Sequence, residues 1–244
     1  MDIAAIVKCS LVDYPGKIAA VVFTPGCNLK CSYCHNRELI TKDNKHRNTP
    51  ASEILSWLKT RRGLLDAVVI SGGEPTLQPD VSEFINDVKQ LGFLVKLDTN
   101  GTQPDVLASL ITQGVLDCVA MDIKAPKEKY DEVCCASVVQ SAIEKSIRLL
   151  INGTLDYEFR TTIIPQLTLD DILAIGNRIR GAKAYVLQRC RTLETSSTSG
   201  NNSWITTKHT SPVDTEIHRC LNNIVNKCSS RGFETVITHQ ERQN

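Results

Sequence analysis

Cys27, Cys31 and Cys34 stand in one short segment with the spacing C-x3-C-x2-C. Thiolates gathered this closely are candidates for metal or redox ligands. The chain carries ten cysteines in 244 residues, many for a reduced protein and too few for a small disulfide scaffold. Cys9, Cys118, Cys190, Cys220, Cys228 and the vicinal pair Cys134-Cys135 show no paired-ligand spacing and read as packed or incidental thiols. Three thiols without an obvious fourth ligand separate two chemistries. A structural zinc ion takes four closed ligands, whereas an iron–sulfur cube held by three leaves one iron open to a substrate or cofactor. His35 adjoins Cys34 directly, and adjacent residues rarely chelate one tetrahedral ion, so zinc is the lesser alternative.

Four further segments carry groups able to bind a polar ligand. Gly72-Gly73-Glu74-Pro75 is a strand-ending turn whose missing side chains let backbone approach a ligand closely. Asp98-Thr99-Asn100-Gly101 forms either an Asx-type turn or a ligand contact. Asp122 and Lys124, two apart, project to one face, as a surface ion pair or as a site for a zwitterion. Arg160 offers a planar fork suited to carboxylates, in a ligand or in a structural salt bridge.

Positioning these groups falls to a repeated pattern. Apolar runs at 17–23, 66–71, 93–97, 118–121, 155–164 and 184–187 read as buried strands, with a last one at 234–237. Helical spacing lies between them: after a cap at Ser52, then at 81–91, 105–111, 137–151 and 170–179, with a C-terminal helix over 214–228. Strand and helix alternate about every 25–30 residues, which predicts βα units on a parallel sheet. The fold class is α/β, a partial (βα)6 barrel in a single domain over 1–244, with its core at about 17–190 and a tail at about 204–244. In such barrels functional groups gather where strands end, and the segments above fall on that edge, with Arg160 within the fifth strand, whose end is left open. Residues 41–48 and 192–203 read as polar connectors, the latter as a mobile loop.

Cys27-Asn28-Leu29-Lys30-Cys31-Ser32-Tyr33-Cys34 resembles the CxxxCxxC signature of the radical S-adenosylmethionine (SAM) superfamily, including the aromatic residue before the last cysteine. The likeness continues in order through residues 72–75, 98–101, 122–124 and Arg160-Thr161-Thr162. Ser10-Leu11-Val12-Asp13-Tyr14-Pro15-Gly16, with Thr24-Pro25-Gly26-Cys27 and Cys34-His35-Asn36, is most similar to the glycyl-radical-enzyme activases of the anaerobic ribonucleoside-triphosphate reductase branch. The resemblance implies one [4Fe-4S] cluster on Cys27, Cys31 and Cys34, with SAM on the fourth iron. It implies that Tyr33 lies beside the adenine or fills space beneath the loop. It also implies that Gly72, Gly73 and Glu74 receive the SAM amino group, and that Asp98, Thr99 and Asn100 lie near the methionine moiety. By the same likeness Asp98 helps bind a monovalent cation, and Asp122, Lys124 and Arg160 bind polar groups of SAM and the facing peptide. The implied partners are a glycyl radical enzyme, an anaerobic ribonucleotide reductase, and a flavodoxin- or ferredoxin-type electron donor. The alternatives are radical chemistry on a small molecule or nucleobase, and a zinc-stabilised binding module. The likeness assigns no role to His35 or Asn36.

Composition narrows the remaining classes. Hydrophobic residues make up 41% and charged residues 23%, which excludes a disordered or collagen-like chain. Lys and Arg number 28 against 27 Asp and Glu, so no overall field draws the protein to nucleic acid or a membrane. Lys59, Arg61 and Arg62 read as a solvated helix end. No apolar run approaches the roughly 20 residues that span a bilayer. Met1-Asp2-Ile3-Ala4 lacks a basic leader region, so a cytoplasmic location is expected.

Overall fold

A computed structural model describes residues 1–40 and 48–190, and the backbone of 235–236. The first half runs β1 (Asp2–Ile3), β2 (Ala5–Ser10), β3 (Ala19–Thr24), α1 (Arg37–Ile40), β4 (Thr49–Pro50), α2 (Ala51–Lys59), β5 (Ala67–Gly72), α3 (Val81–Gln90) and β6 (Leu94–Thr99). The second half runs α4 (Pro104–Thr112), β7 (Cys118–Asp122), α5 (Tyr130–Cys134), α6 (Gln140–Ile151), β8 (Asp156–Ile163), α7 (Leu169–Arg178), β9 (Tyr185–Arg189) and β10 (Thr235–Val236). One eight-stranded sheet has the order β10-β9-β8-β7-β6-β5-β3-β2. Every pairing from β3 to β10 is parallel, and β2 alone runs antiparallel at the edge. This is the partial (βα)6 barrel read from the sequence, with a seventh parallel strand at 235–236 where 234–237 was expected.

Alternation along the strands divides the two faces. Ala20, Val22, Val68, Ile70, Val95, Leu97, Val119 and Met121 pack beneath the helices against Leu58, Ile85, Leu107 and Ile147. Burying each large side chain contributes about 1.5–3 kcal/mol, which anchors the helices to the sheet. On the inner face Ala19, Val21, Ala67 and Val69 form a small separate apolar cluster joined by Tyr14 and Phe23. Beyond it that face turns polar, with Lys96, Asp98 and Arg160 all buried. Such groups stay inside only when paired, and the site is built from their pairing.

Several sequence expectations need correction. Ser52 does not cap α2; Pro50 precedes the helix in extended conformation, and the Ser52 carbonyl accepts from the Ser56 hydroxyl within it. Thr49-Pro50 is held by pairing with Asp2–Ile3, which fixes where the helix starts. The helix expected from 137 starts at Gln140, and the short α5 precedes it. The antiparallel β2 was not foreseen: its alternation is weak because it is a half-exposed edge. The expected helix at 214–228 and loop at 192–203 lie outside the described residues, as does 41–47 of the polar connector.

Candidate active site

The strand ends bring all the predicted segments to one rim, beginning with the loop after β3. Gly26 N–H donates to the Leu39 carbonyl and Cys34 N–H to that of Cys31, which closes the cysteine loop on itself. The Arg37 guanidinium donates to the carbonyls of Cys31 and Ser32 at 3.4 and 3.1 Å. From the other side Lys30 N–H donates to the Cys134 carbonyl at 2.9 Å, docking the loop onto the end of α5. Asn36 donates to the Gly72 carbonyl at 3.3 Å, so a residue without an assigned role ties the cysteine loop to the glycine pair.

Gly72 and Gly73 are required by contact. Gly73 N–H donates to the Thr24 carbonyl and Glu74 N–H to that of Gly26, at 2.9 and 2.8 Å. A Cβ on Gly73 would strike the Gly26 carbonyl, and one on Gly72 the Thr24 backbone; Gly72 also has φ +119. Because both N–H groups are committed, this segment has acceptors, not backbone donors, to offer a ligand. The Glu74 carboxylate turns inward and accepts from Thr76, from the Thr99 hydroxyl at 2.7 Å and from Asn100 N–H at 2.7 Å. Burial pushes its pKa up. Glu74 thus joins the loops after β5 and β6.

Asp98 and Thr99 are the last residues of β6, and Asn100 follows. The Asn100 side-chain amide bridges to Asn28 at 3.0 Å and to the Cys27 sulfur at 3.8 Å. The β7–β8 register sets Asp122 beside Arg160. Arg160 spans two acids, donating from Nε to Asp122 at 2.9 Å and from one terminal nitrogen to Asp98 at 3.2 Å. Lys124, just past the end of β7, pairs with the other oxygen of Asp122 at 2.9 Å. This pair is no surface bridge, since Lys124 is only 16% exposed. Burial alone would raise the Asp122 pKa, but Arg160 and Lys124 outweigh it and hold the carboxyl below its usual range. Burial would likewise lower the Lys124 pKa, yet Asp122 and then Tyr33 and Cys31 hold it well above normal.

Lys124 lies over the Tyr33 ring, 6.0 Å from its centroid. Among the described residues the buried Tyr33 hydroxyl has no hydrogen-bond partner, and burial pushes its pKa up. The thiols differ among themselves. Burial raises Cys27 to about 11 and also raises Cys34. A hydrogen bond from the buried Cys134 outweighs burial at Cys31 and lowers its pKa.

These features bear on whether an iron–sulfur cube fits. Three thiols project from one loop, and Cys27 already receives a hydrogen bond from Leu29 N–H at 3.4 Å. Such bonds orient and tune sulfur ligands. Among the described residues, no three His, Cys, Asp or Glu side chains converge on a single ion. The donor set suits a thiolate-held cluster, and the acceptors at Gly72–Gly73 beside the cations Arg160 and Lys124 suit a zwitterion. Sequence reasoning missed Lys96, Ser71, Glu158 and Cys134. For Lys96 a signal existed, because a lysine two residues before Asp98 on a buried strand shares its inner face.

The radical SAM superfamily sequence model matches residues 21–179. The chain belongs to the radical SAM superfamily. A Methanocaldococcus jannaschii protein named as a glycyl-radical enzyme activating enzyme is 39% identical over 193 residues, covering 77% of this chain and 79% of that protein. The pyruvate formate-lyase-activating enzyme of Clostridium pasteurianum is 30% identical, covering 74% and 77%. Streptococcus suis SuiB, solved with S-adenosylmethionine, shares the fold with a TM-score of 0.64 at 12% identity. The match covers 91% of this chain but only 52% of SuiB, so the chain spans about half that structure's length. Membership makes this radical SAM protein an enzyme of the [4Fe-4S] and SAM class and overturns the zinc-module alternative. Among the described residues, no helix is long and apolar enough to cross a membrane.

Proposed function

We propose that this protein activates a glycyl radical enzyme, specifically an anaerobic ribonucleoside-triphosphate reductase, as a single unit over the whole chain. The observation that carries the reading is the convergence of the three thiols, the glycine pair and the Asp98–Arg160–Asp122–Lys124 lattice at one end of the parallel sheet. The two activating-enzyme relatives support the class of partner; the segment Ser10–Gly16 supports the reductase.

Cys27, Cys31 and Cys34 would hold the cluster. Together with SAM that cluster supplies one-electron cleavage of the sulfonium, giving methionine and a 5′-deoxyadenosyl radical able to take hydrogen from a glycine. Gly72 and Gly73 present backbone acceptors to the SAM amino group, and Glu74 fixes those loops from below. Thr99 and Asn100 border the methionine moiety. Arg160 and Lys124 supply positive charge for the carboxylate and ribose oxygens while Asp98 and Asp122 hold them in place. Tyr33, with its buried hydroxyl, walls the adenine side and excludes water. The electron donor is a flavodoxin or ferredoxin, and the compartment the cytoplasm, where thiols stay reduced.

The test is anaerobic. Cluster-loaded, reduced protein is mixed with SAM and the reductase, and the glycyl radical is sought by electron paramagnetic resonance. A radical doublet on the reductase is the expected result. A doublet only on pyruvate formate-lyase would replace the partner. Release of 5′-deoxyadenosine coupled to a small molecule, without any protein partner, would overturn activation.

A further inference from the structure

The resemblance brings a monovalent cation to Asp98, but the residues present do not fit one. Lys96 is 1% exposed, and its ammonium donates to Asp98 Oδ1 at 3.0 Å and to the Asp13 carbonyl at 2.8 Å. It also forms an ion pair with Glu158 at 3.6 Å, so its charge faces two carboxylates. The second oxygen of Asp98 accepts from Ser71 at 3.3 Å and from Arg160 at 3.2 Å. Thr99, the next polar side chain along the strand, gives its hydroxyl to Glu74. A small metal cation approaching Asp98 would meet a carboxylate engaged at both oxygens and two fixed positive charges.

A buried lysine in the middle of a strand has a cost, since an apolar side chain at 96 would bury without loss of hydration. Its presence is explained by the charges around it. Asp98, Asp122 and Glu158 face the inner side, and Lys96, Arg160 and Lys124 match them one for one. Without Lys96, Asp98 would share its one remaining cationic partner among the described residues, Arg160, with Asp122. The lysine therefore leaves Arg160 positioned between the two acids. Its bond to Asp13 also fastens the Ser10–Gly16 segment, whose own hydroxyl–carboxylate bond joins Ser10 and Asp13 at 2.6 Å.

We propose that Lys96 is a built-in counter-cation, a positioning residue whose ammonium stands in place of a monovalent metal ion beside Asp98. SAM binding by this protein then requires neither sodium nor potassium. The inference rests on the SAM-binding reading above.

The experiment measures SAM binding to cluster-loaded protein by equilibrium dialysis, in choline, sodium and potassium chloride of equal ionic strength. For the unaltered protein the three dissociation constants should agree within about twofold, because equal ionic strength leaves only specific cation binding to separate them. Lys96→Met should bind SAM about tenfold or more weakly in choline, having left Asp98 underpaired, and recover part of that loss in sodium or potassium. Recovery by a metal cation is a readout that loss of packing alone would not give. Tighter binding by the unaltered protein, about tenfold or more, on adding sodium or potassium would overturn the proposal. So would Lys96→Met binding SAM in choline as tightly as the parent. The parent series decides the matter even if Lys96→Met fails to fold. Absence of SAM binding in every salt, at full iron content, would instead overturn the functional reading itself.

Discussion

Glu74 accepts the backbone N–H of Asn100 at 2.7 Å across 26 positions of sequence. Because the same carboxylate also takes the Thr76 and Thr99 hydroxyls, the loops after β5 and β6 are tied together. The tied loops carry the glycine pair on one side and the Asn100 contact to Cys27 on the other. Glu74 therefore links the glycine pair to the Asn100 contact on Cys27.

Glu74→Ala removes one acceptor group from four buried donors, the Thr76 N–H and hydroxyl, the Thr99 hydroxyl and the Asn100 N–H. Stranding such donors costs about 1–3 kcal/mol each before relaxation. Thermal melting of the variant should fall by several degrees, and its iron content after reconstitution should drop. Unchanged melting with full iron would refute the structural role given to Glu74.

Gly73→Ala forces a Cβ into the Gly26 carbonyl, next to Cys27. Backbone must shift, at a cost of about 1–3 kcal/mol for overpacking. Iron per chain should fall more than global stability does, since the strain is local to the cysteine loop. Gly176→Ala, where φ is not positive and nothing among the described residues lies within 4 Å of an added Cβ, is the comparison without a clash.

The buried Glu74 and half-buried Asp122 carboxyls respond to pH with opposite sign. Burial raises Glu74 above the ordinary glutamate value of 4.5, so its contribution to stability is present at low pH and lost as pH rises through its folded pKa. Asp122 lies below the ordinary aspartate value of 3.8, despite burial, because of Arg160 and Lys124. Its contribution is present above that value and lost as pH falls through the depressed one. Melting curves of the cluster-free protein should thus flatten on the acid side in Asp122→Asn, and on the neutral side in Glu74→Gln.

Cys31 and Cys134 are neighbours with different expected fates. Cys31→Ala should lose the cluster and its reduced electron paramagnetic resonance signal. Cys134→Ala should keep the iron while changing the signal or the midpoint potential, since the neighbouring thiol that lowers the Cys31 pKa is gone. Loss of iron in Cys134→Ala equal to that in Cys31→Ala would make Cys134 a ligand.

Arg160→Lys keeps the charge but not the fork that reaches Asp98 and Asp122 together. Breaking one buried pair costs about 3–5 kcal/mol. SAM affinity, measured by dialysis on cluster-loaded protein, should weaken at least as much as in Lys124→Met. Lys124 touches one acid only among the described pairs.

The sequence by itself determined the six parallel strands, the order of the rim segments and the cysteine triad. These are local quantities: an apolar run, a turn that ends it, a fixed spacing on one loop. Strand limits moved by one or two residues, as at 66–71 against Ala67–Gly72, because ladder bonds and not composition decide where pairing stops. The antiparallel edge and α5 were missed for want of a strong local pattern.

Only the tertiary structure decided what the polar residues of the inner face do. Lys96 on β6 has the same two-residue alternation whether its face meets water or protein, and closing the sheet settled it. The bond from Lys96 to Asp13 spans 83 positions and that from Arg160 to Asp98 spans 62. No local pattern encodes such partners, because they are selected by which charges the fold removes from water together.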